Sequence, residues 1–292
     1  MSFLKRLLCF GYGYTARTLV NRLKPDAAWR FVGTTRSHDK AAEIAADGVS
    51  PIIWDGGAFP ADEFDGVTHI LVSAPPGPDG CPALAATGSL IAERASHIAW
   101  IGYLSTNGVY GDHGGAWVDE ETPAGPTTER SRRRVAAENA WRALADQAGL
   151  SLIIFRLPGI YGPGRSALDT VRDGRAKRIF KEGQVFSRMH VDDIAAALES
   201  SIGNPQHAYD LFNLADDEPA PPQDVIEYAC NLLGVKPPPL ITLDQAGLSD
   251  MGRSFYADNK RISNKRMKDT LLPNLTYPTF REGLKAILSA SG

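Results

Sequence analysis

The stretch that most constrains this chain is Leu7 to Ala16, LLCFGYGYTA. An apolar run enters a Gly-x-Gly-x-x-Ala turn, and a helix-like segment, RTLVNRL, follows. Gly11 permits a tight turn with backbone angles that a side chain forbids. Gly13 lets the main chain come close to a diphosphate. Ala16 is small enough for the helix to lie against the strand. The helix N-terminus, with Tyr14 and Thr15 in its first turn, then offers amide N–H groups and a positive dipole end to phosphates. The motif alone is weak. Its setting, after a strand-like run and before a helix, is the one that dinucleotide binding requires.

Apolar strands alternate with helices along the next 150 residues. Strands are expected at Leu4 to Phe10, Trp29 to Thr34, Val49 to Trp54, Val67 to Ser73, Ala99 to Ser105 and Leu152 to Arg156. Helices are expected at Thr15 to Leu23, Lys40 to Ala46, Leu84 to Ala95 and Arg130 to Ala148. Such alternation implies right-handed crossovers and an α/β fold, a doubly wound parallel sheet of the Rossmann type. Its binding site lies at the carboxyl ends of the strands. Ala74 and Pro75, where the fourth strand stops, belong to that edge. After Tyr161 the texture changes to short helices and Pro-rich loops. The expected division is a dinucleotide-binding domain over 1–160 and a smaller C-terminal substrate lobe over 161–292, with 187–202 returning to the main domain.

The residues just after the second strand sort the cofactors. An acid there accepts from the adenosine ribose hydroxyls and repels a 2′-phosphate; an arginine does the reverse. This chain reads GTTRS at 33–37, with no acid until Asp39. Arg36 suits a phosphate, and Thr34, Thr35 and Ser37 add hydroxyls. NADP is therefore expected ahead of NAD. Asp55 has two readings: an acceptor for an adenine amino group, or a turn-former before Gly56-Gly57.

Bulk composition restricts the rest. With 292 residues, 43% of them hydrophobic, the chain can bury a core unaided, and a net charge of −3 gives no global reason to expect nucleic acid or an anionic membrane. Cys9, Cys81 and Cys230 are far apart and lack metal-ligand spacing, so no metal site is expected. Reduced cysteines and the absence of a secretory signal point to the cytoplasm.

Several segments together resemble the extended short-chain dehydrogenase/reductases, the NAD-dependent epimerase/dehydratase family. They are FGYGYTA at 10–16, LSTNGVYG at 104–111, DEETP at 119–123, RLPGIYGPG at 156–164, MHVDDIAAA at 189–197, FNLADDEP at 212–219 and YPTFREGL at 277–284. The resemblance implies a nicotinamide cofactor and a small-molecule substrate. Pro158 and Ile160 would pass near the nicotinamide, and Ser105 and Thr106 would orient a substrate oxygen. A homodimer is expected through the helix near 130–148, although arginines 132–134 crowd that face.

The family's proton relay, a Tyr-x-x-x-Lys, is missing where the register places it. Counting back from Glu138 puts Arg130 at the Tyr position and Arg134 at the Lys position, and no Tyr lies between Tyr110 and Tyr161. Arginine stays charged and makes a poor general acid or base. Arg134 could still hold ribose hydroxyls. Facing into a cleft, the two arginines would suit an anionic substrate; facing out, they are a solvated basic face. Tyr110, His113 and His190 are the remaining stand-in acids, the histidines more readily structural. Asp192 reads as a helix N-cap. Two functions are compatible with these residues: an atypical NAD(P)-dependent oxidoreductase or epimerase, and a non-catalytic NADP(H)-binding sensor.

Overall fold

A computed structural model describes residues 4–204 and 210–291. In chain order the elements are β1 (Lys5–Phe10), α1 (Tyr14–Leu23), β2 (Trp29–Thr35), α2 (His38–Ala46), β3 (Ser50–Ile53), β4 (His69–Val72), α3 (Pro82–Glu93), β5 (Trp100–Thr106), β6 (Trp117–Val118) and α4 (Glu129–Ala148). They continue with β7 (Leu152–Leu157), β8 (Gly159–Tyr161), α5 (Ala167–Arg172), β9 (Arg178–Phe180), β10 (Arg188–His190), α6 (Val191–Gly203), β11 (Leu211–Asn213), α7 (Pro222–Leu233), β12 (Leu240–Thr242), α8 (Asp250–Ala257), β13 (Arg261–Ile262), α9 (Lys265–Thr270) and α10 (Phe280–Ala290). None of the described helices is long and apolar enough to cross a membrane.

Two compact units share this chain. The first takes 4–105, 132–155, 195–204 and 210–212; the second takes 106–131, 156–194 and 213–291. The chain thus changes unit after Ser105, Ser131, Phe155, Ile194 and Phe212, whereas the sequence suggests changes near 160, 187 and 202. The return to the first unit begins at Ala195, within α6 and not at its start.

The first unit is built on a seven-stranded sheet in the order β11-β7-β5-β4-β1-β2-β3. β1 pairs in parallel with β2 on one side and β4 on the other. The strand order therefore reverses beside β1, and the ends of β1 and β4 flank the switch point. Helix α1 follows its own pattern: Ala16, Leu19, Val20 and Leu23 are buried at i, i+3, i+4 and i+7. Burying each of the three larger side chains contributes about 1.5–3 kcal/mol. Phe10, Trp54, Phe59 and Phe64 form a chain of edge-to-face rings beneath the sheet. The six expected strands and four expected helices are all present, with ends moved by a few residues. β11 was not foreseen, because three residues are too few for an alternation to show.

Helix α4 has a different stripe. Ser131, Arg134, Glu138, Trp141 and Ala145 are buried at alternating spacings of three and four. Two charged residues therefore occupy the face that an ordinary core helix fills with apolar side chains.

In the second unit, Tyr161, Leu168, Ala220, Ala229, Phe280, Leu284 and Ile287 make one core. Capping boxes start two of its helices, Ser166 with Asp169 at α5 and Thr279 with Glu282 at α10. Asp192 lies inside the first turn of α6 and is not its cap; the Nδ1 of His190 accepts the Asp192 N–H at 3.2 Å. The neighbouring Asp193 is the buried one. Its two oxygens accept the N–H groups of Thr276 and Tyr277, each at 2.9 Å, which ties the YPTF segment to α6.

Asp216 in this unit is 1% exposed, and burial pushes its carboxyl up to about 8, against the opposing pull of Arg188. An ordinary carboxyl near 3.8 is ionised from pH 5 upward, whereas folded Asp216 keeps its proton until about 8. Across that window the folded state holds the extra proton, so stability falls as pH rises. The thermal midpoint should decline between pH 5 and pH 8, and Asp216→Asn should flatten the decline. An unchanged slope in the variant, measured by circular dichroism, overturns this assignment.

Candidate cofactor and active site

The glycine turn closes on its neighbours at the carboxyl ends of β1, β2 and β4. Gly11 has φ +86°, and a Cβ there would sit 3.0 Å from the Ala74 nitrogen. Its N–H donates to the Thr34 hydroxyl at 2.8 Å, while the N–H of Tyr12 donates to the Thr34 carbonyl at 3.0 Å. Ala74 in turn donates to the Phe10 carbonyl at 2.8 Å. Thr34 and Ala74 thus shape the turn from behind, and Thr34 is buried. A Cβ on Gly13 would meet nothing within 4 Å. No side chain caps α1, whose first turn also lacks an acid. Its leading N–H groups form an uncapped cradle beside an open glycine, which fits a diphosphate. Tyr12 was missed as a structural part: its ring covers Gly33, where a Cβ would lie 2.8 Å from the Tyr12 Cβ.

Residues after β2 and β3 are more exposed. Arg36 is exposed, and among the described residues it makes no ion pair. The Ser37 hydroxyl caps α2 by accepting the Lys40 N–H. Asp55 accepts the Gly57 N–H at 3.0 Å, the turn-forming geometry of its two readings.

The arginines of α4 part company. Arg130 is exposed. Arg134 is 9% exposed, donates to the Leu104 carbonyl at 2.6 Å, and lies over the Tyr103 ring at 6.0 Å. Residues four apart share a helix face, but helix ends differ in cover, so a common environment does not follow from spacing. Glu138 takes the Ser105 hydroxyl at 2.5 Å, and both are buried. Ser105 is therefore committed as a donor to a carboxylate. Thr106 accepts the Gly108 N–H at 3.2 Å, capping the short turn after β5. Trp141 was the available signal: counting back by three and four from this anchor leads to Glu138 and Arg134.

In the second unit, Tyr110 is 1% exposed and its hydroxyl donates to Asn213 Oδ1 at 2.8 Å. Arg156 lies over its ring at 4.7 Å, and burial pushes the phenol up. A hydroxyl so held is poorly placed to trade protons with a substrate. Buried Glu120, missed from sequence, accepts the Asn213 N–H at 2.7 Å and completes the support of this loop. The His113 ring nitrogen lies 3.1 Å from the Tyr110 carbonyl. His190 packs between Tyr161 and Tyr277, and burial lowers its pKa. Pro158 precedes β8, where Ile160 pairs with Met189 of β10. The spacing Tyr-x-x-x-Lys does occur once, at Tyr256 and Lys260. There Tyr256 packs edge-on to Phe186, and Lys260 donates to the Gly111 carbonyl at 2.6 Å, so the pair holds loops together.

Comparison with known proteins agrees with this architecture. The profile of the NAD dependent epimerase/dehydratase family matches residues 90–215. A conserved protein of unknown function from Silicibacter pomeroyi is 49% identical, with 98% of this chain and 99% of that one covered and a TM-score of 0.91. The fold is shared with the dTDP-glucose 4,6-dehydratase of Bacillus anthracis, at 18% identity, 98% and 96% coverage and a TM-score of 0.76. It is shared too with the UDP-glucuronic acid 4-epimerase of Bacillus cereus, at 15% identity, 98% and 99% coverage and a TM-score of 0.75. Curated proteins give no match. The glycine turn, the reversed strand order and these likenesses lead to one conclusion: the chain has the fold of the dehydratase and the epimerase and carries the profile of the NAD dependent epimerase/dehydratase family over residues 90–215.

Proposed function

We propose that this protein binds NADP(H) along the carboxyl edge of its seven-stranded sheet and acts as an oxidoreductase or epimerase of an atypical short-chain type. The observation that carries the reading is the uncapped N-terminus of α1 beside Gly13, whose side-chain direction is open. The dehydratase and the epimerase of the same fold are complexes with NAD, which supports a nicotinamide dinucleotide here. Preference for the 2′-phosphorylated form rests on Arg36, exposed and without an ion pair among the described residues.

A bound nicotinamide nucleotide supplies hydride acceptance or donation. The chain's own groups do the rest. The α1 amides hold phosphates, Gly11 and Thr34 keep the turn in shape, and Arg134 presents a fixed cation near the end of β5. Proton exchange falls to a group other than Ser105 or Tyr110, whose hydroxyls are already engaged. Those engagements favour a second reading, an NADP(H) sensor without turnover.

Titration of NADPH fluorescence tests binding, with a dissociation constant in the micromolar range expected, about −8 kcal/mol. Oxidation of NADPH across a carbonyl substrate panel then separates the two readings. Binding without any turnover selects the sensor, and no binding of either nicotinamide nucleotide overturns both.

A further inference from the structure

The buried face of α4 carries an arginine where a core helix carries an apolar residue. Arg134 is nine-tenths buried. Its Nη1 donates to the Leu104 carbonyl at 2.6 Å, and the same atom lies 3.5 Å from the Tyr103 hydroxyl. Among the described residues no carboxylate stands within ion-pair distance of it. Glu138, one turn further along, takes the Ser105 hydroxyl instead. A buried cation normally has a counter-charge. The direct partners of this one, the Leu104 carbonyl and the hydroxyl and ring face of Tyr103, are all neutral, and the carboxylate of Glu138 acts on it only through the shared neighbour Tyr103.

Its position gives that charge a consequence. In a doubly wound sheet one mononucleotide goes to each half, and the half beginning at β4 takes the second. Arg134 lies against β5, beside β4 in the sheet, while Arg36 follows β2 on the other side of β1. The oxidised nicotinamide ring carries a positive charge, and the reduced ring is neutral. The adenosine half and the diphosphate are common to both forms. A fixed cation on the nicotinamide side therefore acts on the difference between them and on little else.

Resting on the NADP(H)-binding reading, we infer that Arg134 makes the site selective for redox state, holding NADPH in preference to NADP+. The residue is a specificity determinant that works through charge, whether or not turnover follows. At an effective dielectric constant near 20, a like charge within about 10 Å of the oxidised ring would disfavour that form by about tenfold or more.

The test is a pair of titrations, NADPH by its fluorescence and NADP+ by calorimetry, on the wild type, Arg134→Gln and Arg134→Lys. Gln keeps a donor for the Leu104 carbonyl and removes the charge; Lys keeps the charge. The wild type should bind NADPH about tenfold more tightly than NADP+. Arg134→Gln should bring the ratio close to one, chiefly by tightening NADP+, and Arg134→Lys should retain the preference. Equal affinities in the wild type, or a preference unchanged in Arg134→Gln, overturn the inference while leaving nucleotide binding intact. Should Arg134→Gln fail to fold, the wild-type ratio and the Lys variant decide. A wild type that takes up neither nucleotide overturns the underlying reading instead.

Discussion

Arg36→Asp should weaken NADP binding about 100-fold while changing NAD binding by less than about threefold. The side chain is exposed, follows β2, and makes no ion pair among the described residues. Its removal thus breaks no such contact, and the effect on the fold should be small. A guanidinium on a phosphate forms charge-assisted bonds contributing about 1.5–3 kcal/mol. An aspartate in its place adds repulsion of the 2′-phosphate. NAD lacks that group, so it loses only a weak long-range attraction. Parallel calorimetric titrations decide the matter: equal losses for the two nucleotides would remove Arg36 from the cofactor site.

Gly11→Val should weaken nucleotide binding by about 100-fold and lower the thermal midpoint. Two costs add. A β-branched residue at φ +86° is strained by about 1–3 kcal/mol, and its Cβ would lie 3.0 Å from the Ala74 nitrogen. Ala74 cannot retreat freely, because its N–H is bonded to Phe10. The turn must therefore shift, and with it the Tyr12–Gly13 main chain and the start of α1. A misplacement of about 1 Å in such a constellation costs about 100-fold. Gly13→Ala makes a useful contrast. Its Cβ meets nothing in the protein, so the fold should be retained while the approach of a diphosphate is hindered. A Gly11→Val protein that melts and binds like the wild type would show that the turn is not a cradle.

How much of this was legible depended on distance along the chain. The glycine turn, α1 and the strands flanking them are local: a strand, a turn residue and a helix face reveal themselves within about ten residues. Arg36 and the candidate cofactor residues after each strand were found in the same way, from their place after an apolar run. The family segments added a register, which put Arg134 opposite a lysine position. The register did not show that Arg134 is buried on Leu104 while Arg130 is exposed. Tyr110 read as a candidate acid because the family resemblance puts its loop at the border of the substrate site and few other stand-in acids are present. Its partner in the fold is Asn213, 103 residues away. Ser105 found Glu138 across 33 residues, and Asp193 found the YPTF backbone across more than 80.

By itself, then, the order of residues determined the alternation of strands and helices, the glycine turn, the charge offered after β2 and the absence of a tyrosine from the segment before Glu138. Tertiary structure alone decided which hydroxyls are already engaged, which of two arginines four apart is buried, and where the chain passes between its two units. The physical reason is range. Backbone preference and apolar periodicity act between near neighbours, whereas burial and hydrogen-bond pairing are settled by whichever residue folding brings alongside, and no local pattern names that partner.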